Sequence, residues 1–391
     1  MTNKIWWEDL QIHMVEWRRH LHRNPEVSFH EEKTSTFIAD MLESFGIEVQ
    51  RHVGGHGVIG ILRGEQPGPV VMLRADMDAL PIQDEKDVEY ASQSAGAMHA
   101  CGHDGHVSIL LGTALYFSRH RSDIRGEIRF LFQPAEELLP GGAVKVIADG
   151  ALEGVDVIYG IHLWTPLPVG VAASKEGPMM AAADDFYVTL TGKGGHGGMP
   201  QSTVDSVVAG SALVMQLQTV VSRSVDPLCP AVLTIGTMQA GSAQNVIAES
   251  CKLSGTIRTF DEATRASMKE RVHTVVAQTG AAYGAQTDVN YIMGYPPVVN
   301  DKTESERFFR EAVQVFGESN VQTTPMLMPA EDFAYYLQQV PGCFMFVGAG
   351  NPEKGAVYPH HHPKFDFDED AMQLGVQLFI AMAKGYASSF E

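Results

Sequence analysis

The order of apolar runs and amphipathic stretches predicts an α/β fold. A mostly parallel central sheet with flanking helices is built from residues 1–183 and 295–391, and a smaller α+β domain, 184–294, is inserted into it. Three observations carry this reading. Short apolar runs bounded by turn residues alternate with helix-period segments, the pattern of βαβ units. At Asp184 strict alternation replaces the continuous runs, and the order becomes β-α-β-β-α-β, a ferredoxin-like pattern. From Tyr295-Pro296-Pro297 the first pattern resumes.

Taken in order, residues 9–22 place Leu10, Met14, Trp17 and Leu21 on one helical face and stop at Asn24-Pro25. Residues 31–45 repeat the spacing with Phe37, Ile38, Met41 and Leu42 before Gly46. Residues 47–53 and 58–62 read as a strand pair, and 69–73 is a run of the kind buried at a sheet centre. A helix over 107–119, a strand over 127–132 and a buried strand over 155–162 follow. The inserted domain reads as strand 186–190, a glycine-rich loop 192–200, helix 204–221, strands 231–237 and 251–258, helix 262–280 and strand 286–291. A helix over 304–315, a strand at 343–347 and a helix from Asp370 close the chain.

With 391 residues, 45% of them apolar, the chain has ample material for a buried core. A net charge of −19 argues against nucleic acid and against an anionic membrane as partners, because both reward basic patches. The N-terminal stretch shows no apolar signal region, and no run of about 18 apolar residues occurs, so a soluble, cytoplasmic protein is expected. Cys101, Cys229, Cys251 and Cys343 are too dispersed for a disulfide framework and read as free thiols.

The chemistry concentrates in Met98-His99-Ala100-Cys101-Gly102-His103-Asp104-Gly105-His106. Thiolate and imidazole two residues apart can close on one divalent ion, and zinc or a neighbouring late first-row metal suits that pair. The same residues also fit a glycine-rich turn with a buried cysteine and a capping aspartate. What separates the two is where the other ligands fall. Asp78, Glu136 and Glu137 follow predicted strands and His162 ends one, all at the carboxyl edge where α/β sheets collect ligands. His360-His361-His362 follows another. Cys101, His103, Glu137, His162 and one of His360 to His362 therefore supply five donors, enough for two ions if Cys101 bridges them, or for one ion with residues to spare.

Adjacent residues past a strand point different ways, so Glu137 can ligate while Glu136 faces the open side and takes a proton from water. Paired glutamates also suit a solvated helix N-terminus. Asp78 is placed to orient a ligand imidazole, that of His103 or its neighbour. In the inserted domain His196, Asn245 and Arg258 stand out: imidazole and amide can donate to a developing oxyanion, and a guanidinium fork binds a carboxylate. A loop tip, a turn asparagine and a strand-surface arginine are the plain structural alternatives.

The set His99-Ala100-Cys101-Gly102-His103-Asp104, Arg74-Ala75-Asp76-Met77-Asp78-Ala79-Leu80-Pro81, Gln133-Pro134-Ala135-Glu136-Glu137, Gly194-Gly195-His196 and His361-His362-Pro363-Lys364-Phe365-Asp366 closely resembles the aminoacylase and carboxypeptidase family of metal-dependent amidohydrolases. That family includes hippurate hydrolases, N-acyl-amino-acid deacetylases and auxin-conjugate hydrolases. The resemblance spans essentially the whole chain. It implies two divalent ions per subunit, drawn from zinc, manganese, cobalt and nickel, held by Cys101, His103, Glu137, His162 and, from the His-x-Pro spacing, His361. It further implies Glu136 as general base, Asp78 as its supporting acid, His196 and Asn245 at the oxyanion, and Arg258 near the substrate carboxylate. The inserted domain then serves as lid and dimerisation domain, making a homodimer, with a tetramer as the larger alternative. Two departures stand out: Pro200-Gln201 where the family's lid motif often has Pro-His, and Asp76-Met77-Asp78 where the wider superfamily has His-x-Asp. The expected activity is hydrolysis of the amide bond of an N-acyl-L-amino acid or short peptide. A dipeptidase or carboxypeptidase is the alternative within enzymes, and a catalytically silent conjugate-binding module the alternative outside them.

Overall fold

The computed structural model describes residues 2–390, which divide into two compact units. Among the described residues, one comprises 2–177, Val299–Pro325 and 332–390; the other comprises Pro178–Val298 and Met326–Glu331. The sequence puts the junctions at 184 and 294, whereas the compact unit begins at Pro178, ends at Val298 and takes in a six-residue return, Met326–Glu331, that no periodicity marks.

The first unit is organised around an eight-stranded sheet. Its strands run in the order Glu48–Val53, Gly57–Arg63, Arg125–Gln133, Gln66–Asp76, Val157–Pro168, Gly342–Gly350, Ala172–Ser174 and Val321–Thr323. The four central strands pair in parallel. The first two strands and the junction between Gly342–Gly350 and Ala172–Ser174 are antiparallel, so the sheet is mixed, and "mostly parallel" describes its centre alone. The two three-residue strands escaped the sequence reading because so short a segment shows no period. Burial follows position: every residue of Gly342–Gly350 is buried, as expected for a strand covered on both faces.

Helices Thr2–Arg23, His103–Arg119 and Asp370–Ala387 pack on one another and on the sheet. Leu10, Met14 and Leu21 are at most 2% exposed, which is what the i, i+4, i+11 spacing requires of a face turned to the core. The helix predicted from residue 107 begins four residues earlier, so His103 is its first residue and Gly102, with φ 97°, sets the entry. That φ belongs to the left-handed region that glycine enters without penalty. Gly105 lets this helix close on its neighbours, since a Cβ there would stand 2.5 Å from Leu163 Cδ1 and from Phe367 Cζ.

The second unit has a four-stranded antiparallel sheet in the order Ala231–Ala240, Ser250–Thr259, Ala182–Thr191, Gln286–Ile292. Helices Ser206–Ser224 and Glu262–Tyr283 pack together, giving the β-α-β-β-α-β order. Each helix begins at an aspartate that caps free backbone N–H groups: Asp205 accepts from Val207 and Val208, and Asp261 from Thr264. Phe186, Val188 and Leu190 alternate inward against Leu213, Leu217, Val272 and Val276. No helix among the described residues is long and apolar enough to cross a membrane.

Candidate metal and catalytic site

The first unit gathers donors from four separate segments. Cys101 Sγ, His103 Nε2 and a Glu137 carboxylate oxygen form one group within ligand reach of one another, and Cys101, His162 and His360 form a second. Cys101 belongs to both. Its Sγ lies 3.4 Å from His162 Nε2 and 3.8 Å from His360 Nδ1. Glu137 Oε1 stands 3.8 Å from His103 Nε2 and 3.4 Å from His361 Nε2.

Hydrogen bonds made by the far side of each ring fix which nitrogen faces inward. His103 Nδ1 donates to the Asp78 carbonyl at 2.9 Å and lies 3.2 Å from Asp78 Oδ1, which leaves Nε2 as a lone pair. That Nε2 and Glu137 Oε1 are buried with no hydrogen-bond partner, among the described residues, as expected of atoms meant for an ion. His162 Nδ1 donates to the Leu163 carbonyl at 2.8 Å, so its Nε2 lone pair faces Cys101. Burial, with the His106 and His360 rings close by, holds His162 well below the ordinary imidazole value, hence neutral. Burial also pulls His103 down, but the carboxylates of Asp76, Asp78 and Glu137 outweigh it and push the ring up to about 10. Positive charge is thus favoured at this ring, from a proton or from a metal ion competing with it. Soft thiolate, imidazole and one carboxylate make a donor set for zinc and its first-row neighbours.

His360 and His361 play different parts. His360 Nε2 accepts the Thr165 N–H at 3.4 Å, which puts the ring proton on the Nδ1 that faces Cys101, and the ring stacks on Trp164. His361, at φ 65°, turns its Nε2 toward Glu137. His162 departs from the sequence reading, which puts it at the end of a strand. It is the sixth residue of the twelve in Val157–Pro168, because the strand runs on past the covered part of the sheet. Asp104, a helix cap in the plainer alternative reading of the motif, is fully buried and receives Arg18 Nε at 2.9 Å and His22 Nδ1 at 2.7 Å. Of the three imidazoles in the starting motif only His103 faces the donor groups with a free nitrogen. His99 is buried with neither ring nitrogen hydrogen-bonded among the described residues, and burial pulls it down to about 4.

Asp78 joins the donor groups to the neighbouring glutamates. Its Oδ2 accepts from Ser28 Oγ at 2.6 Å and from the Glu137 N–H at 3.0 Å. Burial raises a carboxyl, but His103, Ser28 and the Glu137 amide together hold Asp78 below its ordinary value. Glu136 is buried at the same turn. The turn is shaped by residues that no sequence spacing singled out: Ala135 takes φ 53°, its N–H donates to Glu31, and its carbonyl accepts from Gly142 at 2.8 Å. Further back, Asp332 accepts from Gln133 Nε2, from Arg74 and from the Ala143 N–H. Arg74 and Asp76 did leave a signal: residues two apart on a strand share a face.

His196, Asn245 and Arg258 lie in the second unit. His196 pairs with Val246 in a two-residue ladder, and the Gly197 N–H donates to the Asn245 carbonyl at 2.8 Å. His196 Nδ1 accepts the Gly198 N–H at 3.0 Å, so its exposed Nε2 carries the proton. Arg258, half-buried on strand Ser250–Thr259, donates to Thr256 Oγ1 and to the Ile257 carbonyl at 3.0 Å.

A mixed α/β sheet whose strand ends and adjoining loops bring thiolate, imidazole and carboxylate donors beside a buried acid defines a metallohydrolase. Residues 72–385 match the model of peptidase family M20/M25/M40, and the chain belongs to that family. It is accordingly a hydrolase acting on amide bonds. Over 294 residues, 75% of this chain and 79% of the relative, it is 50% identical to an N-acyl-L-amino acid amidohydrolase of Geobacillus stearothermophilus. It is 40% identical over 390 residues, all of this chain and 92% of the relative, to an N-acetyl-L-cysteine deacetylase of Bacillus subtilis. Its fold matches the crystal structure of the Bacillus subtilis YXEP protein, described as a dinuclear metal binding peptidase, with TM-score 0.83 and 35% identity over 97% of this chain and 99% of that one.

Proposed function

We propose that the chain hydrolyses N-acyl-L-amino acids, with Glu136 as general base and with Cys101, His103, Glu137, His162 and His361 as the residues that would hold two divalent ions. The observation that supports this most is the sharing of Cys101 by two donor groups, with Glu136 buried next to Glu137. Bound divalent ions would lower the pKa of water and polarise the scissile carbonyl. Glu136 takes a proton from the attacking water and returns it to the departing amine nitrogen as the C–N bond breaks. Asp78 steadies the His103 ring and the Glu137 backbone. His196 through Nε2–H and Asn245 through its amide donate to the oxyanion, and Arg258 reads the substrate carboxylate.

The metals are drawn from zinc, manganese, cobalt and nickel. The 184–294 domain is the lid and pairs two copies of the chain into a cytoplasmic homodimer. Val207, Val208 and Met215, 41–70% exposed on one helix, and the edge strand Ala231–Ala240 are the surface that supports pairing. A peptidase acting on short peptides is the second reading, favoured by the likeness to YXEP. Amine release from N-acetyl- and N-benzoyl-amino acids, from Gly-Leu and from a methyl-ester-blocked analogue separates the two, with metals quantified on the same sample. Light scattering in solution reads the assembly. No amine from any acylated amino acid with all four metals supplied would sink the proposal.

A further inference from the structure

A third cluster of potential ligands, Asp76, His103 and His106, lies beside the donor groups just described. His106 cannot join an ion there, because both its nitrogens are already committed. Its Nε2 accepts the Leu163 N–H at 2.8 Å, and a backbone amide can only donate, so that nitrogen bears no proton. The ring proton is therefore on Nδ1, which donates to Asp76 Oδ1 at 2.6 Å. The other oxygen of Asp76 accepts from Arg74 at 2.7 Å, and Arg74 reaches on to Gln133 and Asp332. Both ends of the relay are thus anchored, one in the carboxyl ends of the central strands and the other in the backbone of Leu163.

Leu163 is the residue on which His162 depends. Its carbonyl takes the His162 Nδ1 proton, and the two imidazoles stand in a T-shaped contact with centroids 4.6 Å apart. Displacing Leu163 displaces the ring that faces Cys101. We propose that His106 is a positioning residue: held by Asp76, it clamps the Leu163 amide and thereby aims His162 at Cys101. The consequence for ion binding rests on His162 being a ligand; the clamp itself does not.

Two substitutions separate the ring's two bonds. Asparagine places an N–H where Nδ1 stands and cannot reach Leu163, while glutamine places an acceptor near Nε2. In the metal-free protein, His106→Asn should speed exchange of the Leu163 amide at least tenfold, and His106→Gln should keep it within about threefold of the parent. In chelator competition, His106→Asn should weaken zinc or cobalt binding by about 10–100-fold, the usual cost of losing a residue that orients a ligand, and His106→Gln should largely restore it. Unchanged exchange in both variants, or equal loss in both with equal falls in thermal midpoint, would overturn the proposal and leave His106 as packing. If His106→Asn does not fold, His106→Gln alone decides, retained protection supporting the clamp and lost protection overturning it. A parent chain that binds no ion yet shows the exchange pattern would sink the ligand assignment and leave the clamp standing.

Discussion

Glu31 Oε1 accepts the Ala135 N–H at 2.8 Å, and together with the Gly142 N–H on the Ala135 carbonyl this bond ties down the left-handed residue that precedes the proposed general base. A non-glycine residue at positive φ is held there only when its surroundings over-determine it. Glu31 is fully buried, at the start of helix Glu32–Ser44. Burial, with the Asp78 carboxylate nearby, pushes its carboxyl up to about 7.

The pH dependence follows from that. Between its ordinary value and about 7 Glu31 keeps its proton in the folded chain and loses it in the unfolded one. Stability therefore falls as pH rises through that window, by up to about 1.4 kcal/mol per pH unit for one proton, and is level above it. Glu31→Gln keeps an acceptor for Ala135 and cannot ionise. Urea unfolding of the metal-free protein at pH 5 to 8 should show the parent losing ground to Glu31→Gln as pH rises. Parallel pH profiles would remove Glu31 from the account.

Replacing Glu136 with Gln should leave metal content unchanged and lower kcat by about 100- to 10,000-fold, the usual contribution of a positioned general base. Turnover near that of the parent, with both ions bound, would rule out Glu136 as the base.

His360 and His361 are neighbours with opposite assignments. His361→Ala removes a proposed ligand and should lower the metal content measured by elemental analysis by one ion per chain. His360→Gln should retain both ions, since the ring's Nε2 already serves the Thr165 amide. The reverse result would transfer the ligand role to His360.

Arg18 is wholly buried among Asp104, Asp366 and Glu369, at 2.9, 2.6 and 3.1 Å. Arg18→Met removes the one cation shared by those carboxylates, leaving His22 on Asp104, Tyr90 and Lys86 on Asp366 and Arg19 on Glu369, and should cost about 3 kcal/mol in urea unfolding, the low end of the range for breaking a buried pair. Arg51 pairs with Asp40 and Glu43 in largely exposed positions, so Arg51→Met should leave the thermal midpoint where it is. Equal losses in the two variants would contradict the burial argument.

How much of this was legible in the sequence depended on distance along the chain. Local periodicity revealed the helix of Leu10, Met14 and Leu21 and the alternation of Phe186, Val188 and Leu190, because each pattern is written within one element. Asp78, Glu136 and Glu137 are legible for a related reason: the parallel central strands put their carboxyl ends at one edge. What was hidden is long-range pairing. Glu31 reaches Ala135, Arg18 reaches Asp366, and Asp332 reaches Gln133, and none of these pairs has a sequence interval to betray it. His106 was the near miss, since its spacing from His103 puts both on one helical face. Only the Leu163 amide tells ligand from clamp there.

Because one sulfur, Cys101 Sγ, stands in both donor groups, the two are chemically tied to a single atom's oxidation state. Oxidising that sulfur to a sulfinic acid would strip the shared donor from both at the same instant. Loss of activity under peroxide should accordingly run as one exponential to zero, without a half-active plateau.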